Sequence, residues 1–299
     1  MKRTAFQKRQ LLRQLLAKKD VLVAPGIYDG YGARLVQGAG FHAAYMTGNG
    51  VSAALLGAPD IGQVDLTLIS DHARRVAACI EIPLICDADN GYGGVLNIKR
   101  AVEEFEAAGV AAIHIEDQTF PKQCAQFDGA RTVLSFEQAV AHIRAAVVAK
   151  SDPDFVIIAR TDSVGAFGLD EGVRRAKAFI DAGADGVFVE LKANPDVLEI
   201  IQHIKNELGE AICLYNVDVG GPISELKAVE MKALGVDIAI HPSLARGVFG
   251  HAMQNALEHL KENQRLSSYT QNMFTSNQYN EALGLKAVQE WETQILRSD

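Results

Sequence analysis

Short apolar runs alternate with longer amphipathic stretches along most of the chain. Runs of strand character fall at 21–26 (VLVAPG), 42–48 (HAAYMTG), 83–89 (PLICDAD) and 111–117 (AAIHIED), then at 155–161 (FVIIART), 186–191 (GVFVEL), 211–216 (AICLYN) and 238–243 (IAIHPS). Between them, helically spaced apolar positions mark segments such as Asn97–Ala108, Ser135–Lys150, Asp170–Ala182 and Ser224–Leu234. The strand runs are continuously apolar rather than alternating, as parallel strands buried on both faces should be. Eight such β/α units predict a (β/α)8 barrel, the TIM-type fold. Four segments, GAGFHAAYMTG, AAGVAAIHIED, DAGADGVFVEL and ALGVDIAIHPS, share a helix-ending glycine, an apolar strand and a polar finish. An open doubly wound sheet would place G-x-G-x-x-G after the first strand, and none is present.

The ends of the chain depart from this rhythm. MKRTAFQKRQLLRQLLAKKD reads as an amphipathic helix with Leu11, Leu12, Leu15 and Leu16 on one side. After about residue 245 a helix over Ala245–Leu266, a polar stretch and a last helix over Glu281–Leu296 form a C-terminal extension (245–299) to a single barrel domain spanning 1–299.

Composition narrows the function. Hydrophobic residues make up 48% and charged residues 22%, which suits a large packed core rather than disorder. With 37 acidic against 29 basic residues the net charge is −8, which speaks against a nucleic-acid or anionic-membrane surface. No apolar run approaches the ~20 residues of a membrane span. The four cysteines are scattered with no C-x-x-C pair, which points to a reducing cytoplasm rather than a disulfide or zinc framework.

Barrel chemistry gathers at the carboxyl ends of the strands. Here those ends are acidic: Asp87 and Asp89 after the third, Glu116 beside His114 on the fourth, and Asp60 in the loop after the second. Residues two apart on a strand share a side, so Asp87 pairs with Asp89 and His114 with Glu116. Four converging carboxylates repel one another unless a cation lies among them, and an all-oxygen set suits Mg²⁺ or Mn²⁺. His114 reads equally as a hydrogen-bonded core histidine, and Asp117 as a structural contact at the loop entrance. Arg160, Glu190, Asn216 and His241 end the last four strands. A guanidinium there is shaped to grip a substrate carboxylate. Thr47-Gly48-Asn49-Gly50 is small enough to bring backbone N–H groups against an anion, although a plain turn fits as well. Cys79, Cys86 and Cys213 lie in apolar runs and belong to the core, whereas Cys124 lies in a polar loop beside Lys122.

At these residues the chain resembles the isocitrate lyase / phosphoenolpyruvate mutase superfamily. The likeness spans roughly residues 5–265. It is carried by YDGYGARLVQGAGFHAAYMTGNGVSAALLGAPDIG (28–62), DADNGYGG (87–94), HIEDQTFPKQCAQ (114–126), DPDFVIIARTD (152–162) and the strands of Glu190 and Asn216. The resemblance implies a barrel whose last helix is exchanged with a partner subunit, usually in a homotetramer. It further implies Mg²⁺ bound directly by Asp87 and through waters by Asp60, Asp89 and Glu116. The 2-oxo end of the substrate would lie on Thr47, Gly48 and Asn49 near Tyr45, while Arg160, Glu190 and Asn216 hold its other carboxylates and the reacting oxygen. Lys122, Gln126 and His241 are further substrate-contact candidates.

Gln118–Arg131 corresponds to the family's mobile lid. Carbon–carbon lyases carry K-[KR]-C-G-H there and phosphonopyruvate mutases an Asn-Ser version; this chain reads Lys122-Gln123-Cys124-Ala125-Gln126. Keeping Cys124 favours a lyase in which that thiol protonates the carbanion left by cleavage. Replacing Gly-His by Ala125-Gln126 removes a group that titrates near neutrality. The sequence therefore points to a Mg²⁺-dependent lyase of a methylisocitrate- or dimethylmalate-type acid. Phosphonopyruvate or carboxyphosphonoenolpyruvate mutase chemistry, oxaloacetate hydrolysis or decarboxylation, and a non-catalytic metal-binding homologue stand as alternatives.

Overall fold

The computed structural model describes residues 2–18, 20–123, 131–191 and 196–297. Eight parallel strands close into a barrel in chain order: β1 (Leu22–Ile27), β2 (Ala44–Met46), β3 (Leu84–Asp87), β4 (Ala112–Glu116), β5 (Val156–Thr161), β6 (Gly186–Val189), β7 (Ile212–Asn216) and β8 (Ile238–His241), with β8 pairing back to β1. Each predicted strand is present. Several stop short of their predicted polar ends, because those residues leave the ladder to enter the barrel mouth. The predicted helix over Ser224–Leu234 divides into a 3-10 turn, Pro222–Glu225, and a helix, Ala228–Leu234.

Continuous apolar strands serve two cores at once. Alternate side chains such as Leu22, Ile85, Ile158, Phe188, Leu214 and Ile240 fill the barrel. Their neighbours, among them Met46, Cys86, Ile113, Ile157, Val187 and Cys213, pack outward against the helices. No helix among the described residues is long and apolar enough to cross a membrane.

The helix Ala5–Ala17 closes the amino-terminal end of the barrel. Thr4 and Gln7 form a capping box at its start. Leu12 is fully buried against the barrel interior, with Leu15 and Leu16 packed beside it. Two basic residues of this helix, Lys8 and Arg9, are buried as well and Arg13 is half-buried, which its leucine stripe did not reveal. Lys8 Nζ donates to Ala77 O at 2.7 Å. Arg9 Nε donates to Val110 O at 3.0 Å, and Arg9 Nη1 meets Asp152 Oδ2 at 2.9 Å. Arg13 binds Asp185 Oδ1 at 2.7 Å and donates to Pro153 O and Phe155 O. These partners precede β3 through β6, so one helix ties four β/α units together.

The twenty-residue helix Leu244–Asn263 has no buried residue. It begins against β1 and carries Val248, Phe249, Met253 and Leu257 to solvent. The chain returns through Ser276–Ala282, where Tyr279 packs on Tyr31 with ring centroids 5.4 Å apart, and ends in Leu285–Leu296.

Removing the Arg9 guanidinium leaves Asp152 and two carbonyls without their partner. Arg9→Ala should cost about 3 kcal/mol, the low end for a broken buried pair, because Glu106 still accepts from Ser151 and Asp152. Urea unfolding measures this; a loss under ~0.5 kcal/mol, the size of an ordinary surface substitution, would show that the helix does not hold the barrel closed.

Candidate active site

The acidic strand ends converge. Asp60, Asp87, Asp89 and Glu116 are all buried at the carboxyl end of the barrel, each no more than 8% exposed. Asp89 adopts a left-handed backbone (φ 47°), so the chain turns sharply after β3. Its N–H then donates to Asp87 Oδ1 at 2.9 Å. The Lys122 ammonium enters this cluster, 2.9 Å from Asp60 Oδ1 and paired with Asp89 Oδ1. The surrounding carboxylates outweigh burial and hold Lys122 firmly charged. Burial, reinforced by Asp87, Asp60 and Glu116, pushes the Asp89 carboxyl up to about 8 despite Lys122, and burial likewise raises Glu116. For Asp87 burial is overcome by the positive groups around it, Lys122 and Arg160 among them, and by the Asp89 N–H, so it stays ionised.

The helix Gly48–Leu56 directs its amino terminus at this cluster. A Cβ on Gly48 would lie 2.9 Å from Asp87 Oδ2 and 3.2 Å from Asp89 Oδ1, so only glycine lets the backbone come this near. The segment expected to be a turn or an anion cradle is thus a helix start, where exposed N–H groups and the helix dipole favour negative charge. Thr47 is buried at the cap position and Asn49 is half-buried.

Tyr45 and His114 form the floor beside Asp87. The Tyr45 hydroxyl and His114 Nε2 lie 2.9 Å apart. Burial lowers the His114 pKa to about 4, so its ring is neutral near pH 7. The other ring nitrogen, Nδ1, lies 3.7 Å from Asp87 Oδ1. Burial keeps the Tyr45 phenol protonated well beyond its usual range.

Arg160 forms the opposite wall. Its guanidinium lies 4.8 Å over the Phe188 ring, with Nε 3.4 Å from Glu116 Oε2 and Nη2 3.0 Å from Asp162 Oδ1 and 3.7 Å from Glu190 Oε2. Asn216 Nδ2 donates to Glu190 Oε2 at 3.1 Å. Arg160 Nε and Glu116 Oε1 are buried with no hydrogen-bond partner among the described residues, which leaves one donor and one acceptor for a bound molecule.

Of the predicted residues, Asp60, Asp87, Asp89, Glu116, Lys122, Gly48, Tyr45, Arg160, Glu190 and Asn216 are brought together. Lys122, expected against substrate, is paired within the acidic cluster. His241 ends β8 in register with Pro25, half-buried, and makes no ion pair with the cluster among the described residues. Cys124 and Gln126 lie outside the described residues. Asp117 is the structural contact anticipated: it accepts from Thr161 Oγ1 at 2.7 Å, Asp162 N at 2.9 Å and Arg175 Nη1 at 2.9 Å.

Two residues of the site were missed. Asp162 binds Arg160 and pairs with Arg131, whose Nη2 is also 3.8 Å from Glu190 Oε1. Asp162 stands two positions beyond Arg160, so the alternation that paired Asp87 with Asp89 would have found it. Arg131 carried no signal but its charge at the end of the lid segment.

The donor set fits a hard divalent cation. It is all oxygen, the ammonium of Lys122 already occupies a cation position within it, and Glu116 Oε1 lacks a partner. Among the described residues no three acidic, histidine or cysteine groups draw close enough to ligate one ion directly. The arrangement therefore suits an ion held largely through waters, the usual habit of Mg²⁺.

A closed barrel whose mouth is lined by buried carboxylates and an arginine set among them defines a (β/α)8 enzyme with its polar groups gathered at the carboxyl ends of the strands. The chain belongs to the phosphoenolpyruvate mutase family, within the isocitrate lyase / phosphoenolpyruvate mutase superfamily: the family model described as phosphoenolpyruvate phosphomutase matches residues 12–261. The chain is 38% identical over 281 residues to 2,3-dimethylmalate lyase of Eubacterium barkeri, covering 94% of this chain and 96% of that protein. It is 39% identical over 246 residues to 2-methylisocitrate lyase of Shewanella oneidensis, covering 82% of each. A solved structure of oxaloacetate acetylhydrolase, in complex with the inhibitor 3,3-difluorooxalacetate, superposes with a TM-score of 0.90 at 32% identity over 98% of each chain.

Gly48→Ala tests the close approach. The added methyl must displace Asp87 or the helix start, and a shift near 1 Å at a reacting centre costs about 100-fold in rate. Turnover should fall by that order while the melting temperature changes little. Unchanged turnover would show that Asp87 and the helix start need not hold their present spacing.

Proposed function

We propose that the protein is a Mg²⁺-dependent carbon–carbon lyase. It cleaves a 2-hydroxy di- or tricarboxylic acid of the dimethylmalate or methylisocitrate type between its second and third carbons, releasing a 2-oxo acid such as pyruvate and a second carboxylate. The observation that supports this most is the convergence of four buried carboxylates on one cation position, walled by Tyr45 and Arg160. The likeness to 2,3-dimethylmalate lyase over nearly the whole chain points to the same chemistry.

In this reading Asp87 would hold Mg²⁺, or Mn²⁺ in its stead, with Asp60, Asp89 and Glu116 placed to hold its waters. Bound there, the ion neutralises charge that develops on the substrate's 2-oxygen and carboxylate. Lys122, paired with Asp60 and Asp89, would share those carboxylates with the ion's waters and would be placed to meet a substrate carboxylate. Gly48 and Asn49 offer backbone N–H groups to the 2-oxo end, with Thr47 beside them. Arg160 grips a carboxylate, and Glu190 and Asn216 orient what lies beyond it. Tyr45, held by His114, is placed to hydrogen-bond the reacting hydroxyl. As the bond breaks its electron pair goes to the third carbon, the hydroxyl proton passes to one of the site's carboxylates, and Cys124 gives its proton to the carbanion. Gln126 contacts the leaving carboxylate without titrating.

The close superposition on oxaloacetate acetylhydrolase supports a second reading, hydrolysis of oxaloacetate at the same cation. For the assembly, a homo-oligomer is favoured, in which two copies exchange the helix Leu244–Asn263. That helix has no buried residue of its own and presents an apolar face fit for another barrel. The unpaired Cys79, Cys86 and Cys213 suit a reducing compartment such as the cytoplasm.

The test is release of pyruvate or glyoxylate with Mg²⁺ from 2,3-dimethylmalate, 2-methylisocitrate, isocitrate, citramalate, oxaloacetate and phosphonopyruvate, with EDTA as control. Metal-dependent release from a hydroxy acid is expected. Turnover of oxaloacetate or phosphonopyruvate alone would overturn the lyase reading. Cys124→Ser should lower kcat about 100-fold, within the range for a lost general acid, with KM little changed. Equal changes in both would make Cys124 a binding residue instead.

A further inference from the structure

β6 and β7 part company toward the barrel mouth. They are registered only at Gly186↔Ile212 and Val187↔Cys213, whereas β5 and β6 run together through four positions up to Thr161↔Val189. The gap between their carboxyl ends is a cavity of about 70 Å³. It adjoins the site through Glu190 and Asn216 and runs outward between the strands, beneath the 3-10 turn Pro222–Glu225.

The chemistry of its walls is selective. Val197 and Ile223, both nearly buried, give it an apolar end. Tyr215 contributes its ring and a buried hydroxyl that has no hydrogen-bond partner among the described residues. The charged groups are the Glu190 carboxylate at the inner end and Asp218 at the outer rim, and no Lys, Arg or His is among the described residues that line it. A carboxylate placed here would face Asp218 and Glu190, the latter already shared with Arg160 and Arg131, and would find no cation of its own among the described lining residues; burying a charge left unpaired costs several kcal/mol. An uncharged group meets no such penalty. The volume lies between the ~10–15 Å³ that admits a water and the ~150 Å³ cavity that holds a benzene ring, so a short aliphatic chain fits and a ring does not.

We infer that this slot is a specificity subsite for an uncharged substituent of two or three carbons on the third carbon of the substrate. The inference rests on the lyase reading and narrows it: the substrate is a dicarboxylic alkyl-substituted malate, and acids with a third carboxylate on that carbon's substituent are disfavoured. Asn216 and Glu190 are the link, since they hold the distal part of the substrate and also form the inner wall of the slot.

The experiment compares turnover and binding in parallel with Mg²⁺ present. Turnover is read on 2,3-dimethylmalate, its 3-ethyl homologue and 2-methylisocitrate. Binding is read by calorimetry on 2,3-dimethylsuccinate, 2-ethyl-3-methylsuccinate and propane-1,2,3-tricarboxylate, which lack the hydroxyl and are not cleaved. One added methylene in an apolar pocket is worth roughly 10-fold or more, so the ethyl compounds should exceed the methyl ones by about that factor in kcat/KM and in affinity, with the tricarboxylates weakest. Ile223→Phe, and Val197→Phe as an independent filling of the slot, should reverse the ethyl-to-methyl ratio chiefly through KM. Asp218→Asn should narrow the gap to the tricarboxylates. Silence in turnover with the binding order intact would sink the lyase reading and leave the subsite standing. Equal or better use of 2-methylisocitrate, an ethyl-to-methyl ratio untouched by both filling variants, or no binding of any succinate would overturn the subsite.

Discussion

Four carboxylates buried within one barrel mouth cannot all carry charge unless positive charge lies among them, and the rest of the site follows from that constraint. Here Lys122 supplies the charge by reaching into the cluster, while Arg160 lies against Glu116 on the next strand. Even so, Asp89 and Glu116 are pushed toward protonation. A group of ionisable side chains kept in this state is poor for stability and useful for function. In the proposed function, a small divalent ion would relieve the repulsion among them.

Holding such a cluster requires a frame that does not relax. The barrel provides it from both ends. At the amino-terminal end the helix Ala5–Ala17 clamps four β/α units through Lys8, Arg9 and Arg13. At the carboxyl end Asp117 ties β4 to β5 and to Arg175, and Asp162 fixes the guanidinium of Arg160. Glycine at position 48 then allows a helix start to approach the Asp87 carboxylate. Where the frame opens, between the ends of β6 and β7, it leaves a space walled by Val197, Ile223 and Tyr215 beside Glu190 and Asp218.

Much of this was legible before any coordinates. Unbroken apolar strands announced a sheet buried on both faces, and the polar residue ending each strand marked the mouth, so Asp87, Asp89, Glu116, Arg160, Glu190 and Asn216 could be picked out one by one. What stayed hidden depends on contacts across long separations. The leucine stripe of the first helix gave no hint that Arg9 is buried 143 residues away from its partner Asp152. Lys122 reads as a loop cation until its side chain is seen among carboxylates from two other loops. Arg131 and the β6–β7 slot arise from loop placement and strand divergence, which leave no periodic trace in the residues themselves.

The central claim is that this cluster is a divalent-cation site in which protons and the Lys122 ammonium stand in for the ion. Calorimetric titration of Mg²⁺ into the EDTA-treated, dialysed protein at pH 7, repeated in buffers of different ionisation enthalpy, tests it directly. Because the Asp89 carboxyl is held near pH 8 without metal, binding should release on the order of one proton per ion, as metal binding at protonated ligands does. The release should vanish in Asp87→Ala together with binding. Saturable Mg²⁺ binding with no proton release, or binding that survives Asp87→Ala, would contradict the account.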